Sequence, residues 1–351
     1  MKKYISFRLG KDTLSFLIDK KSAVVTLILL LLTFFVFIIS TGVGEVFIGP
    51  VDSLQTILGF GDPMHELLIQ SFRLPRIIIA LLVGAALAVA GAILQNLVRN
   101  PLASPDVIGI TGGASVAVIL FLTLFSDSNH SLTVSLKWLP VAAFIGAMVT
   151  TFAIYFLAWQ KGASSFRLVL IGIGISMLTQ SLTTLFMIKA PIYQAAQANV
   201  WITGSIYDAD WKQVHILVPT VMILLMITMI MVRNINLQEF GDQIATGMGS
   251  RVEINRFALL LLSAAFIASA VSFSGVIGFV GLMAPHMARR LVGSAFGAVL
   301  PISALLGGLL VMLADLTGRT LFLPLEVPAG VFTASIGAPY FIYLLYKSRN
   351  S

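Results

Sequence analysis

The 351 residues are 58% hydrophobic and only 11% charged, with a mean hydropathy of +0.98, a balance outside the range of soluble domains. The net charge of +7 is scattered between apolar runs rather than gathered into a patch, so it reads as membrane topology and excludes a nucleic-acid partner. The chain has no cysteine, which rules out disulfides, thiolate metal sites and cysteine nucleophiles.

Residues 1–22 form a basic N-terminal tail, in which Leu14, Phe16 and Leu17 suggest a short interfacial helix, a structureless tail being the alternative. The apolar run 23–43 is too long for a signal-peptide core and lacks a small-x-small cleavage site, so it reads as an uncleaved first span. Charges then punctuate further runs near the roughly 20 residues that a helix needs to cross a bilayer. These are 77–98, 107–126, 138–159, 168–188, 214–232, 257–273, 277–293, 298–316 and 329–346. With ten spans and both termini in the cytoplasm, sixteen of the 22 lysines and arginines fall inside and six outside, as the positive-inside rule asks. Fusing 257–273 with 277–293 across Ser274-Gly275 would leave nine spans and put Lys347 and Arg349 on the wrong side. The predicted fold class is all-α, a polytopic membrane protein of about ten transmembrane helices over 23–346. A polar cytoplasmic loop at 234–256 interrupts that domain, and a short cytoplasmic tail, 347–351, follows it. A faint internal repeat aligns ALLVGAALAVAG (80–91) with AAFIASAVSFSG (264–275), each followed ten residues later by a proline, Pro101 and Pro285. The two segments run in opposite directions, as an inverted repeat requires.

Ser272 to Gly293, SFSGVIGFVGLMAPHMARRLVG, is rich in small residues, broken at Pro285, and ends in a basic cluster of His286, Arg289 and Arg290. Such a segment survives in lipid only when neighbouring helices pack closely and re-satisfy its backbone. Arg73-Leu74-Pro75-Arg76 stands at the external mouth of the second span, with Arg319 the only other external arginine. These side chains either snorkel to headgroups or receive carboxylates of an external partner. QNLVRNPLASPDVIG (95–109) has two prolines and Asn100, which force a non-helical connection, either a plain turn or a constriction. In the fifth span Gly172, Ser176, Thr179, Gln180 and Thr183 recur at helical spacing, a stripe that either bonds to a neighbouring helix or lines a watery path. Leu237, Phe240, Ile244 and Met248 repeat at helical spacing in the cytoplasmic loop and suit a groove on a soluble partner, or else lie on the surface.

No span carries a carboxylate near its middle: Asp315 is near an end and Glu326 lies in a Pro-bounded connection. That argues against an ion-coupled secondary transporter, the runner-up reading. Without a G-x-x-x-x-G-K-[ST] loop or any catalytic constellation, the chain reads as neither an ATPase nor an enzyme, and His286 reads as structural rather than as a metal ligand.

RLPR (73–76), GAALAVAGAILQNLVRNPLASPDVIGITGGA (84–114), SGVIGFVGLMAPHMARRLVG (274–293), ADLTGR (314–319) and EVPAGVFTASIGAPYFIYLL (326–345) together resemble the FecCD-type permeases. These are the membrane subunits of ABC importers for iron-siderophores, haem and vitamin B12. The resemblance implies a ten-helix permease in the bacterial cytoplasmic membrane, paired with a second permease, identical or related. It implies two ATPase subunits below, carrying the ATP and Mg that this chain does not bind, and an extracytoplasmic substrate-binding protein above. By motif, Arg73, Arg76 and Arg319 would receive acidic residues of that binding protein. Asn100, Leu102, Ser164 and Ser165 fall where the family closes its cytoplasmic gate, and Phe240 to Val252, with Ile244 and Met248, where coupling helices meet the ATPase. Ferric siderophores are the favoured cargo, with vitamin B12 or haem as the alternative. The path is expected to be uncharged, with specificity residing in the external partner.

Overall fold

The computed structural model describes residues 4–9, 14–126, 133–159 and 164–348, with the backbone alone for 4–9, 14–18 and 348. Of the charges used for orientation, Lys2, Lys3, Lys11, Lys161 and Arg349 lie outside the described residues. The chain opens on two strands, β1 (Tyr4–Leu9) and β2 (Leu14–Asp19), paired antiparallel with Tyr4 opposite Asp19 and Leu9 opposite Leu14. Leu14, Phe16 and Leu17 therefore sit on a strand, not on an interfacial helix. Around Ser6-Phe7-Arg8-Leu9 the apolar and polar residues alternate with the strand period of two, which a helix cannot use.

The remainder is helical. After α1 (Lys20–Gly42), whose first turn is capped by Asp19, come α2 (Pro50–Ile57) and α3 (Pro63–Glu66). A π-helical stretch, Leu67–Arg73, leads into α4 (Leu74–Val98). Then follow α5 (Pro105–Ile108), α6 (Ile110–Leu124), α7 (Leu139–Ala158), α8 (Ser165–Lys189), α9 (Ile192–Thr203) and α10 (Trp211–Glu239). Last are α11 (Asp242–Gly247), α12 (Val252–Ser274), α13 (Val280–Val292), α14 (Phe296–Thr320) and α15 (Ala329–Ser348).

Each of the ten expected runs coincides with a helix, but they are not equal. Among the described residues eight helices are long and apolar enough to cross a membrane. The runs at 107–126 and 277–293 hold the short α6 and α13, of 15 and 13 residues. At about 1.5 Å per residue these reach roughly 20 Å, less than the ~30 Å of a hydrocarbon core. Both are preceded by a backbone break: Gly109 at φ +83°, and Gly275 at +63° with Phe279 at +65°. The separation at Ser274-Gly275 is thus real, and it costs the following helix its first turns. The polar loop 234–256 is shorter than it reads, because α10 runs on to Glu239 and α12 starts at Val252.

Helix α4 is the central post, buried over 83% of its apolar window, with α12, α13 and α14 packed around it. Small residues make that possible. A Cβ at Gly84 would overlap the carbonyl oxygen of Gly307 in α14, and one at Gly91 would overlap that of Gly281 in α13. Close backbone approach of this kind substitutes for a hydrophobic drive that lipid does not supply. The Ser263 hydroxyl of α12 donates to the Ala90 carbonyl at 3.1 Å, and the two helices bearing the repeated sequence run antiparallel.

Candidate functional site

The site grows from the two backbone breaks. Helix α4 stops at Arg99, which takes the left-handed conformation at φ +56°. The Asn100 carboxamide oxygen then accepts from the Leu102 amide at 2.9 Å, which closes a turn. From there the chain folds back inward rather than crossing the membrane face: Pro105 packs on Gly281, itself opposite Gly91 well inside α4. At that depth the first break meets the second. Asp106 accepts from the Phe279 amide at 3.3 Å and from the Thr111 hydroxyl at 3.5 Å. A carboxylate beside the first amides of α13 suits the partial positive charge of a helix N-terminus. Gln95 of α4 ties the same joint, donating to the Leu282 carbonyl at 3.2 Å and accepting from Arg289 near the far end of α13.

Irregular backbone at bundle depth is tolerated where it lines a cavity, and one is present, of about 860 Å³. Its walls include Leu102 and Asp106 from the first break, Phe279 from the second, and Asn199 and Thr203 from α9. From α8 come Ser176, Gln180 and Thr183, so three members of the expected polar stripe open into it. The other two do not. Gly172 packs on Ile108 and Thr179 on Gly112, because α8 turns that edge toward α5 and α6. Asp106, half-buried, puts one carboxylate into the wall of this cavity. Its residue type in ASPDVIG was visible, but the inward fold that carries it off the membrane face was not. Helix α9 was likewise missed, since PIYQAAQANVWIT is too short and polar for a span.

Of the residues expected at the gate, Leu102 alone lines the cavity. Asn100 closes its own turn, Ser164 caps α8 by accepting from the Arg167 amide at 3.2 Å, and the Ser165 hydroxyl donates to the Leu97 carbonyl at 2.8 Å. The four residues are brought together at the end of α4, with three of them acting as its frame.

At the opposite end of α4, the three arginines read as free external groups are bonded within the chain. Arg73 donates to the carbonyls of Thr41 at 2.7 Å, Gly42 at 3.1 Å and Val46 at 2.6 Å. Arg319 donates to those of Ser40 and of Val43, the latter at 2.8 Å. The last carbonyls of a helix have no partner within it, and basic side chains satisfy them here for α1. Arg76 pairs with Asp315 at 2.9 Å and with Glu326 at 2.8 Å. Neither snorkelling nor an open acceptor site describes Arg73 and Arg319; Arg76 alone keeps a partly exposed partner, Glu326.

Beside the end of α4, α11 is pinned by a carboxylate. Asp242 accepts from Arg256 of α12 at 2.9 Å and from Arg99, which also donates to the Gln238 carbonyl at 2.8 Å. Burial pushes the Asp242 carboxyl up, but the hydrogen bonds and charges of Arg256 and Arg99 outweigh it and hold it below the ordinary carboxylate range. Phe240, Ile244 and Met248 point outward from this anchored segment and are exposed. Val252 does not join them: it is buried at the start of α12. His286 sits edge-on to the Tyr340 ring at 6.0 Å, in the bundle.

Comparison with known proteins fits this architecture. The model of the FecCD transport family matches residues 30–347. The chain is 62% identical over 333 residues to the Bacillus subtilis protein named "Probable siderophore transport system permease protein YfhA", covering 95% of this chain and 97% of that one. It is 44% identical over 321 residues to the achromobactin transport system permease protein CbrC of Dickeya dadantii, covering 92% and 90%. A solved structure assigned to a metal-chelate type ABC transporter, in an inward-facing conformation, superposes with a TM-score of 0.82 at 29% identity. It covers 93% of this chain and 99% of that chain. The chain belongs to the FecCD transport family and is a multi-span transport permease.

Proposed function

We propose that this chain is half of the membrane path of an ATP-driven importer of ferric siderophores, paired with a second permease in the bacterial cytoplasmic membrane. The observation that carries the reading is the cavity of about 860 Å³ between two broken helices, in a permease of this family. Supporting it, α8 beside the cavity is buried over only 17% of its apolar window, which leaves a face for the second subunit. Leu102 is the closing residue of the gate, held by the frame of Asn100, Ser164 and Ser165. Two ATPase subunits, with ATP and Mg, seat on Phe240, Ile244 and Met248. The extracytoplasmic binding protein docks at the Arg76 end, where an incoming carboxylate exchanges with Glu326. Both termini lie in the cytoplasm.

Uptake of radio-iron siderophore in a strain lacking this subunit tests the reading. Import should return with this chain plus its ATPase, vanish without the ATPase, and persist under an uncoupler while ATP is held constant. Uptake that survives loss of every ATPase partner would overturn it, and restoration of haem or cobalamin uptake instead would replace the cargo.

A further inference from the structure

The N-terminal hairpin has one face made of apolar residues alone. Its register sets Ile5 opposite Ile18, Phe7 opposite Phe16 and Leu9 opposite Leu14. Successive residues of a strand belong to opposite faces, so these six share one. The other face takes Tyr4, Ser6 and Arg8 with Asp19, Leu17 and Ser15. A two-stranded hairpin is marginal in water by itself, and among the described residues no third strand joins this sheet. Beyond its own pairing, the hairpin packs on α1.

Two observations say what lies against the apolar face. The first is continuity with a span. Asp19 both ends β2 and caps α1, which starts at Lys20, so no linker separates hairpin from helix. Helix α1 is buried over only 22% of its apolar window, and Val24, Leu27 and Ile28 are already exposed near its start. At about 1.5 Å per residue, a lipid-facing surface begins roughly one to two turns from the hairpin. Helix α1 packs mainly on α14, whereas α11, the segment read as seating the ATPase, packs on α10 and α12. The second observation is charge. Residues 1–22 hold six lysines and arginines against two aspartates. Of these, Lys20 and Lys21 are exposed at the junction, and Arg8 belongs to the polar face. An apolar face beside basic residues at the foot of a span is the pattern that anionic headgroups attract.

We propose that the hairpin is a lipid anchor, its apolar face lying on the cytoplasmic leaflet beside α1. Arg8, Lys20 and Lys21 hold it there through the headgroups of anionic phospholipids. The proposal rests on the reading that places the N-terminus in the cytoplasm. It makes the order of the hairpin depend on the lipid composition of the membrane.

The chain has no cysteine, so single introduced cysteines label it cleanly. The full-length permease is dye-labelled at one such position, assembled with its partner subunits, and placed in vesicles. These are phosphatidylcholine alone or an equal mixture with phosphatidylglycerol. In the mixed vesicles, dye at Phe7→Cys or Phe16→Cys should be quenched by a nitroxide near the top of the acyl chains and shielded from aqueous iodide. Dye at Ser6→Cys or Ser15→Cys should show the reverse. The joint variant Arg8→Glu, Lys20→Glu and Lys21→Glu should abolish the lipid quenching at Phe7→Cys with the melting of the bundle unchanged. If the cysteines unfold the hairpin, hydrogen exchange of the unlabelled chain carries the test. Amides of 4–9 and 14–19 should then exchange roughly tenfold more slowly in the mixed vesicles than in phosphatidylcholine alone. Equal quenching on both faces, or exchange indifferent to phosphatidylglycerol, overturns the anchor. So does shielding that appears only with the ATPase present or only as copies are crowded together, which would assign the face to that subunit or to a second copy. The cytoplasmic placement is tested apart. In spheroplasts, Ser6→Cys should react with a membrane-impermeant maleimide only after the membrane is opened; reaction before opening overturns that placement alone, since the vesicles decide the lipid contact.

Discussion

Arg73 has three carbonyl partners at the end of α1, and none of them is near it in the sequence. Removing the guanidinium strands acceptors in a buried joint. Arg73→Ala should therefore destabilise the folded permease by roughly 3 kcal/mol, the scale for charged hydrogen bonds lost from a buried site, read as a drop in thermal midpoint in detergent. Arg76→Glu should behave differently. It places three carboxylates together with Asp315 and Glu326, so both stability and capture of the loaded binding protein should fall. A pull-down at matched membrane levels separates the two effects. Arginine outside the positive-inside trend was legible as an anomaly, but its cause was not, because Asp315 lies 239 residues from Arg76.

At the scale of elements, the decisive features are breaks and close approaches. Gly91 and Gly174 look alike in sequence, yet a side chain at Gly91 meets the backbone of Gly281 while one at Gly174 meets nothing. Gly91→Val should abolish insertion of a stable α4–α13 pair. Gly174→Ala should be neutral or stabilising by roughly 0.5–1 kcal/mol, the intrinsic preference of a helix for alanine; protein yield and melting in detergent compare them. The anchorage of α11 has a pH signature. A carboxyl held low in the folded state adds stability above its unfolded pKa and loses it as pH falls through the folded value. Hydrogen exchange over 240–251 should thus be flat near neutrality and rise only below pH ~4, the ordinary carboxylate range. In Asp242→Asn that exchange should be fast at every pH, with ATP hydrolysis retained and import reduced, since Arg99 joins this loop to the turn that follows α4.

For the whole molecule, the exposed Phe240, Ile244 and Met248 form one apolar edge on an anchored segment, the arrangement a groove-seated helix needs. The pair Phe240→Glu and Ile244→Glu should end co-purification of the ATPase without changing the melting of the permease, because neither side chain is packed in the bundle. What the sequence by itself determined was the order of the ten apolar runs, each of which holds a helix, the break at Ser274-Gly275 and the family. Composition, run length and small-residue patterning are local and survive as written, because lipid demands them span by span. Only the tertiary structure decided that Arg73 and Arg319 cap a helix, that Val252 is buried and that Asp106 enters the cavity. Each depends on backbone returning from a break to meet a distant segment, and no local pattern encodes the angle at which it returns.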